Sequence, residues 1–229
     1  MTKTENRILC PELKPEKVLI ITDFDGTACT VDLGNEILNK FATVSLIDIE
    51  LAYVQGKIGS RIAYERITKR LQGSRGEMLD HILSIEKLDP FFPEFCALGK
   101  DKGIDIKIVS DGLDFYIEAI LQKHKLTDIG YYSNLAIFNN DSFLSIEFPA
   151  MNNLCARCGT CKSRILNSYR LIYDKIIYIG DGYSDFCPSK YADIVFAKNI
   201  LFQKCTQEGT PCIQFDDFSE INNYLADNY

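Results

Sequence analysis

Apolar and polar positions alternate in blocks along the chain, and these blocks predict strands followed by helices. Residues 17–22 form a short, β-branched apolar run, which is typical of a buried strand. Similar runs at 104–109 and 175–179 predict two further strands. Apolar residues recur at helical spacing in 113–125 and 162–172. Strands that alternate with helices predict a mostly parallel sheet with helices on both faces.

Shorter patterns extend this sheet. Residues 131–138 and 143–148 predict a hairpin that turns at 139–141. Residues 193–197 and 212–215 predict two more short strands. The predicted fold class is therefore α/β, with a doubly wound (Rossmann-like) parallel sheet.

The stretch from 30 to 90 interrupts the strand–helix rhythm with a purely helical pattern. One helical face collects four apolar side chains: Ile37, Leu38, Phe41 and Val44. Asp89-Pro90 ends the pattern, because a proline disfavours helix in the residue before it. We therefore predict a core domain of residues 1–29 and 91–229, and a helical cap of residues 30–90 inserted after the first strand.

Polar side chains follow three predicted strands at the point where each ends. Asp23 and Asp25 follow the first strand, residues 110–112 the second and residues 180–185 the third. Lys162 begins the helix before the third strand. In open α/β sheets, ligands bind outside the carboxyl ends of the strands. The sequence therefore predicts one site at this edge of the sheet.

These residue types favour transfer of a phosphoryl group through a phosphorylated aspartate. Asp23 is the predicted nucleophile and a metal ligand, and Asp25 is predicted to protonate the leaving oxygen and then activate water. A carboxylate must approach a phosphate dianion, so the reaction calls for a divalent cation, and oxygen ligands suit Mg²⁺. Lys162 is predicted to bind the phosphate and to neutralise charge on it and on Asp23.

The remaining ligands are predicted from the same strand ends. Asp181 and the backbone carbonyl of Asp25 are predicted to bind Mg²⁺. Asp185 has two interpretations: a metal ligand, or an acid that stabilises the dipole at a helix N-terminus. Ser110 and the nearby backbone N–H groups of Asp111 and Gly112 are predicted to bind phosphate oxygens.

Four ordered motifs resemble those of the haloacid dehalogenase-like hydrolase superfamily, and they span residues 18–197. They are Asp23-Phe24-Asp25-Gly26-Thr27, Ser110, Lys162 and Gly180-Asp181-Gly182-Tyr183-Ser184-Asp185. The second aspartate favours a phosphatase, since a dehalogenase has no alkoxide leaving group to protonate. The insert resembles the helical cap of the phosphoserine phosphatase-like branch. This resemblance implies a cap that closes over the site, excludes water and selects substrates.

A finer resemblance lies in residues 153–162 and 178–182. Both are similar to the methionine-salvage 2-hydroxy-3-keto-5-methylthiopentenyl-1-phosphate phosphatases and to the phosphoethanolamine/phosphocholine phosphatases. Residues 185–188 look like the second group. The resemblance implies hydrolysis of a small phosphate monoester. The alternatives are a phosphoserine phosphatase, a phosphotransferase or mutase, and a non-enzymatic metal-binding module.

Two cap residues are candidates for selecting the substrate. In phosphoserine phosphatases, a cap acid and a cap arginine bind the amino acid head. Asp32 stands about where that acid falls, and Arg66 is the candidate for the arginine. The alternative is that both are solvated helix charges.

Nine cysteines form two groups. Cys155, Cys158 and Cys161 have the C-x₂-C-x₂-C spacing of a zinc or iron–sulfur site, with Cys187 as the nearby fourth ligand. A second and favoured interpretation is a tight loop whose small thiols pack beneath the site. A third interpretation is a redox-sensitive pair of cysteines beside Lys162. The scattered group is predicted to pack as small apolar residues: Cys10, Cys29, Cys96, Cys205 and Cys212.

The composition of the chain limits the kinds of partner that it is expected to bind. The chain has 229 residues and a net charge of −7, which argues against broad binding to nucleic acid or to an anionic membrane. It shows no signal-peptide pattern and no apolar run long enough to span a bilayer. We therefore expect a cytoplasmic protein that acts on a small phosphate ester, without nucleic-acid or membrane partners. The oligomeric state stays open.

Overall fold

The computed structural model describes residues 16–229, which build one seven-stranded sheet in the order β4-β3-β2-β1-β5-β6-β7. All neighbouring strands pair in parallel except β3 and β4, which form the predicted antiparallel hairpin. The strands are β1 Val18–Thr22, β2 Asp105–Leu113, β3 Gly130–Asn139, β4 Ser142–Glu147, β5 Lys175–Gly180, β6 Ile194–Ala197 and β7 Ile213–Gln214. The predicted α/β class is confirmed.

Helices cover both faces of this sheet. In chain order they are α1 Leu33–Phe41, α2 Ile47–Val54, α3 Ser60–Ile67, α4 Arg75–Ile85, α5 Phe92–Asp101, α6 Asp114–Lys123, α7 Lys162–Tyr169, α8 Phe186–Ser189, α9 Asn199–Glu208 and α10 Phe218–Asn228. Alternate side chains of β1 show the two layers. Val18 and Ile20 belong to the core beneath α5, α6 and α10, whereas Leu19 and Ile21 pack with α7.

The helix α7 is shorter than the predicted 162–172. It ends at Tyr169, and the apolar residues that prolonged the pattern, Leu171 and Ile172, are 98% and 55% exposed in the following turn. Their side chains have no neighbouring core to cover them, so hydrophobic periodicity alone overran the helix end.

β1 lies at the centre of the sheet, between β2 and β5. Sheet order changes direction on the two sides of β1, which creates the crevice where α/β folds bind ligands. The ladder continues one residue past β1, because the Asp23 N–H donates to the carbonyl of Ile179 at 2.9 Å. Asp23 is therefore held rigidly at the mouth of this crevice.

Helices α1 to α4 stand between β1 and α5, where the cap is predicted. They have a small core of their own, made of Leu46, Ile49, Ala63, Ile67 and Leu71. This group also touches the hairpin, since the Phe143 N–H donates to the carbonyl of Gly73 at 2.9 Å. The division into residues 1–29 and 91–229 and a cap of 30–90 stays a prediction. Within residues 16–229, no helix is long and apolar enough to cross a bilayer.

Candidate active site

Lys162 joins two buried carboxylates at the centre of the site. Its Nζ lies 2.7 Å from Asp23 Oδ2 and 2.6 Å from Asp185 Oδ1. Burial alone lowers the pKa of Lys162, but the two carboxylates outweigh it and raise that pKa, so the ammonium keeps its charge. The predicted pairing of Lys162 with the nucleophile position is present in the structure.

Asp185 is fully buried and its oxygens already have four hydrogen-bond donors. Oδ1 accepts from Lys162 Nζ and, at 2.6 Å, from the hydroxyl of Tyr178. Oδ2 accepts from the N–H groups of Asp181 at 3.0 Å and Gly182 at 2.9 Å. A carboxylate has about four lone-pair sites, so these donors fill them. The contacts favour a role in orienting Lys162 over direct binding of a cation.

Asp181 faces Asp23 across the site. Asp23, Asp181 and Asp185 each bring a carboxylate oxygen to within 4.8 Å of the others. Thr27 Oγ1 donates to Asp181 Oδ1 at 2.8 Å. Gly26 has a φ of +73°, and a Cβ there would lie only 2.4 Å from Asp181 Oδ2, so the approach of these two loops requires glycine.

The electrostatics of this group fit a divalent cation. Burial, followed by the charge of Asp185, raises the pKa of Asp23 and that of Asp181, the latter to about 6. Lys162 offsets only part of this repulsion. The exposed donor atoms are hard carboxylate oxygens, which are the ligands that Mg²⁺ prefers.

Asp25 lies outside this trio and has different neighbours. Its Oδ2 accepts from Tyr116 OH at 2.6 Å and from Ser110 Oγ at 3.4 Å, and its Oδ1 accepts from the Leu33 N–H at 3.2 Å. Burial and, after it, the charge of Asp32 raise the pKa of Asp25 to about 7. A carboxyl group that exchanges its proton near neutral pH suits general acid–base catalysis.

Two residues of the predicted phosphate-binding loop, Ser110 and Asp111, contact different parts of the protein. Ser110 is buried, and its Oγ accepts from the Gly112 N–H at 2.9 Å while it faces Asp25. Asp111 instead accepts from the Thr160 N–H at 2.9 Å and from Asn134 Nδ2 at 3.0 Å. The Asp111 carboxylate is thus occupied by protein donors.

A cavity of about 540 Å³ extends from these carboxylates towards the cap. The cap supplies an apolar wall: Leu38, Ile49, Val54, Ala63 and Ile67. Asp32 and Glu50 are the cap acids in the lining, and Asp32 also accepts from the Asn35 N–H at 2.9 Å as the N-cap of α1. Arg66 is exposed and lies outside the lining. Among the described residues that line the cavity, none is Lys or Arg.

Two tyrosines of the site are not predicted from the sequence. Tyr116 on α6 and Tyr178 on β5 are fully buried, and each donates to a carboxylate at 2.6 Å. In the sequence both stand among apolar residues, so they resemble ordinary core aromatics. The signal that was available is their distance from the motifs: Tyr116 follows Gly112 by four residues, and Tyr178 lies on β5, three residues before Asp181.

The three cysteines of the run differ in burial, and Cys161 alone among them is buried as the packing interpretation expects. Cys161 is buried at the N-terminus of α7, Cys158 is half-buried and Cys155 is exposed. Within the described part of the chain, the aspartate trio is the one group of three or more potential ligands with atoms within 4.8 Å of each other. Burial raises the pKa of the Cys158 thiol to about 12, which disfavours a reactive thiolate. Cys10 lies outside the described residues.

Known proteins resemble this chain over nearly its whole length. Residues 18–209 match the family model described as "Putative Phosphatase". The 2-hydroxy-3-keto-5-methylthiopentenyl-1-phosphate phosphatase of Exiguobacterium sibiricum is 31% identical over 217 residues, which is 91% of this chain and 96% of that protein. The protein of the same name from Brevibacillus brevis is 30% identical over 213 residues, covering 92% and 96%.

Solved structures show the same fold. A phosphoserine phosphatase, solved as an analogue of its phospho-aspartyl intermediate, aligns with a TM-score of 0.72 at 22% sequence identity. The alignment covers 91% of this chain and 99% of that one. The parallel sheet and the flanking helices are therefore shared with that enzyme.

Proposed function

This chain belongs to the phosphatase family that its residues 18–209 match, and we propose that it is a Mg²⁺-dependent enzyme with Asp23 as its nucleophile. The resemblance predicted from the four motifs is confirmed, and the chain is a phosphoric monoester hydrolase. The alternative of a non-enzymatic metal-binding module is wrong, because the matching family and relatives are phosphatases. The cytoplasmic location stays a prediction.

Mg²⁺ would be held by Asp23, Asp181 and the backbone carbonyl of Asp25. The support is the donor set: carboxylate oxygens gathered within 4.8 Å, with pKa values raised by burial and mutual repulsion. When bound, the cation supplies positive charge between Asp23 and the phosphate and orients the phosphate. Asp185 orients Lys162, which neutralises charge beside it.

The protein residues then divide the reaction into two steps. Asp23 attacks phosphorus, the ester P–O bond breaks, and Asp25 gives its proton to the leaving alcohol oxygen. Asp25 next takes a proton from a water molecule that attacks the phosphorus of phospho-Asp23. The aspartyl P–O bond breaks, which releases inorganic phosphate and restores Asp23. Ser110 and Lys162 bind phosphate oxygens in both steps.

One observation carries this proposal: the two aspartates of the first motif have different environments. Asp23 is paired with Lys162 at 2.7 Å, while Asp25 has a pKa of about 7 and hydrogen bonds to hydroxyl groups. This arrangement leaves one carboxylate for nucleophilic attack and the other for proton transfer.

The substrate we propose is the one in the relatives' names, 2-hydroxy-3-keto-5-methylthiopentenyl-1-phosphate, or a close analogue. Its leaving group is uncharged with an apolar tail, which suits the apolar wall of the cap. Phosphoserine fits less well, because its carboxylate would meet a described lining without Lys or Arg. Phosphoethanolamine or phosphocholine is the second candidate, since Asp32 and Glu50 offer negative charge to an ammonium group.

Phosphate release from these esters, measured with and without Mg²⁺, tests the proposal. We expect Mg²⁺-dependent hydrolysis, fastest with the methylthiopentenyl phosphate. A sugar acceptor is added in a parallel reaction, because a phosphotransferase or mutase would phosphorylate the sugar instead of releasing phosphate. Absence of hydrolysis with every ester would contradict the proposal.

A further inference from the structure

Asp111 follows the phosphate-binding residue Ser110, yet its polar atoms serve other parts of the protein. Its carboxylate accepts from Thr160, one residue short of the N-cap of α7, at 2.9 Å and from Asn134 on β3 at 3.0 Å. Its backbone carbonyl also accepts from Asn134, at 2.6 Å. These contacts tie Asp111 to the segment that leads directly into Lys162.

The cap reaches the same residue from the other side. The hydroxyl of Tyr64 on α3 donates to the Asp111 carbonyl at 2.8 Å. The hydroxyl of Ser60, at the start of α3, lies near the Asp111 carboxylate and helps to lower the pKa of Asp111 against the effect of burial, which raises it. The same Ser60 oxygen accepts from the Gly159 N–H at 3.2 Å. Ser60 is only 8% exposed, and together with Tyr64 and Asp111 it lines the cavity, so this junction borders the space above the carboxylates.

The loop before Lys162 also docks closely on the cap. The Arg61 N–H donates to the carbonyl of Arg157 at 3.1 Å, and Arg61 Nε donates to that of Ala156 at 3.1 Å. A Cβ at Gly59 would lie 2.0 Å from the Arg157 carbonyl oxygen, so the two backbones meet without room for a side chain. The cap therefore contacts the loop and Asp111 as one surface.

We propose that Asp111 is a positioning residue that couples docking of the cap to the placement of Lys162 and Ser110 during catalysis. This inference rests on the proposed phosphatase function. We call Ser60, Tyr64, Asp111, Asn134 and Thr160 the Asp111 latch. When the cap is docked, the latch holds Asp111 between α3 and Thr160, which fixes both the residue after Ser110 and the residue two before Lys162.

The substitution Asp111→Asn tests the hydrogen bonds of the Asp111 carboxylate while keeping the size of the side chain. Its amide keeps the shape of the carboxylate but replaces one acceptor oxygen with a donor NH₂ group. Oδ1 of Asp111 accepts from both the N–H of Thr160 and the amide of Asn134, so the amide oxygen of Asn can keep these two contacts while its NH₂ group faces the hydroxyl of Ser60. Since the Ser60 oxygen already accepts from the Gly159 N–H, the hydroxyl hydrogen of Ser60 loses its acceptor, and the latch is weakened on its cap side.

Kinetics of Asp111→Asn and Ser60→Ala, singly and together, test the coupling. We expect kcat to fall about tenfold or more for Asp111→Asn, with KM changed less, because misplacing a catalytic group slows the reaction more than it weakens substrate binding. The double variant is expected to lose much less than the product of the single losses, since both break the same contact. Ser133→Ala is the matched control, as Ser133 is a buried serine whose hydroxyl has no hydrogen-bond partner among the described residues.

Hydrogen exchange gives a readout that does not depend on activity. In Asp111→Asn, we expect the amides of α3 and of residues 156–161 to exchange faster together, while those of β1 and β5 stay unchanged. Multiplicative losses in the double variant, or faster exchange in only one of the two segments, would overturn the proposal. If Asp111→Asn speeds exchange in both segments but the unaltered protein hydrolyses no phosphate ester, the proposed function fails. Asp111 then couples the cap to the loop without a role in catalysis.

Discussion

The two ends of the cavity are built on different principles. At the phosphate end, Asp23, Lys162 and Asp185 are buried and joined by contacts of 2.6 to 2.7 Å. At the cap end, an apolar wall carries two acids, Asp32 and Glu50, for which no ion pair is seen among the described residues. Charge pairing therefore holds the side chains of the phosphate end in place. The cap end is instead suited to select a leaving group by its shape and by the sign of its charge.

Chemistry and selectivity reside at opposite ends of the cavity. Strand ends place the reacting groups with little freedom, because the sheet fixes the backbone on which they stand. In the proposed reaction the cap helices hold the leaving group, and their side chains can change without disturbing the buried charges. Substitutions at the phosphate end should therefore abolish the reaction, while those at the cap end should redirect it.

The largest effect is expected at Asp23. Asp23→Asn removes the nucleophile but keeps its size, so phosphate release should fall by at least about 10³-fold. Circular dichroism is expected to show an unchanged fold. Asp128→Asn is the control, as Asp128 is exposed and pairs only loosely with Lys100 at 3.5 Å. Substantial activity in Asp23→Asn would remove Asp23 from its proposed role.

Asp25→Asn should distinguish proton transfer from attack. Without its acid, the enzyme should lose about 10²- to 10⁴-fold with an alkyl phosphate. The loss in the first step should be much smaller with p-nitrophenyl phosphate, whose leaving group needs no proton. The burst of p-nitrophenol in rapid mixing reports this step. Equal losses of the first step with both esters would argue that Asp25 is not the acid.

Asp181→Asn should act on the cation rather than on the reacting groups. Removing one charged ligand is expected to raise the Mg²⁺ concentration for half-maximal activity by about tenfold or more. Thr27→Val, which removes only the 2.8 Å hydrogen bond to Asp181, should cause a smaller shift in the same direction. Unchanged Mg²⁺ dependence in Asp181→Asn would count against it as a ligand.

The smallest effect is expected at the cap end, as a change in preference. We expect the unaltered enzyme to hydrolyse propyl phosphate or phosphoethanolamine with a kcat/KM about tenfold higher than that for the phosphate ester of 3-hydroxypropanoate, which is of similar size. The carboxylate of that ester would be repelled by the acids of the cavity. Glu50→Lys should reduce this preference while propyl phosphate turnover stays similar. Asp80→Lys makes the same charge change on α4, at an exposed position outside the cavity lining, and should leave the preference intact. Equal responses of Glu50→Lys and Asp80→Lys would show that Glu50 has no local role.

The sequence predicted the phosphate end far better than the cap end, for physical reasons. Asp23 and Asp181 directly follow β1 and β5, and Ser110 follows Val109, where the regular pairing of β2 with β3 ends; parallel strands bring these positions to one edge. The tyrosines that hold Asp25 and Asp185 were not predicted, because a buried aromatic at helix or strand spacing is usually core. The sequence alone allows two roles for Asp185, because its contact with Tyr178 forms only when β5 is folded.

The cap end depends on how helices rotate and pack. Asp32 was predicted to face the substrate and does line the cavity, but Arg66 on α3 is exposed outside it. Both positions are polar and helical in the sequence, so no local pattern separates them. Glu50 was not singled out for the same reason, since its direction depends on how α2 packs through Ile49.

Trapping the phosphorylated enzyme identifies its nucleophile directly. The enzyme is mixed with Mg²⁺ and substrate, quenched in denaturant and treated with borohydride, which reduces an aspartyl phosphate to homoserine with loss of phosphate. Peptide mass spectrometry should then find homoserine at position 23, dependent on substrate and absent from Asp23→Asn. Turnover in the same sample with Asp23 unmodified, or with homoserine at another position, would contradict Asp23 as the nucleophile.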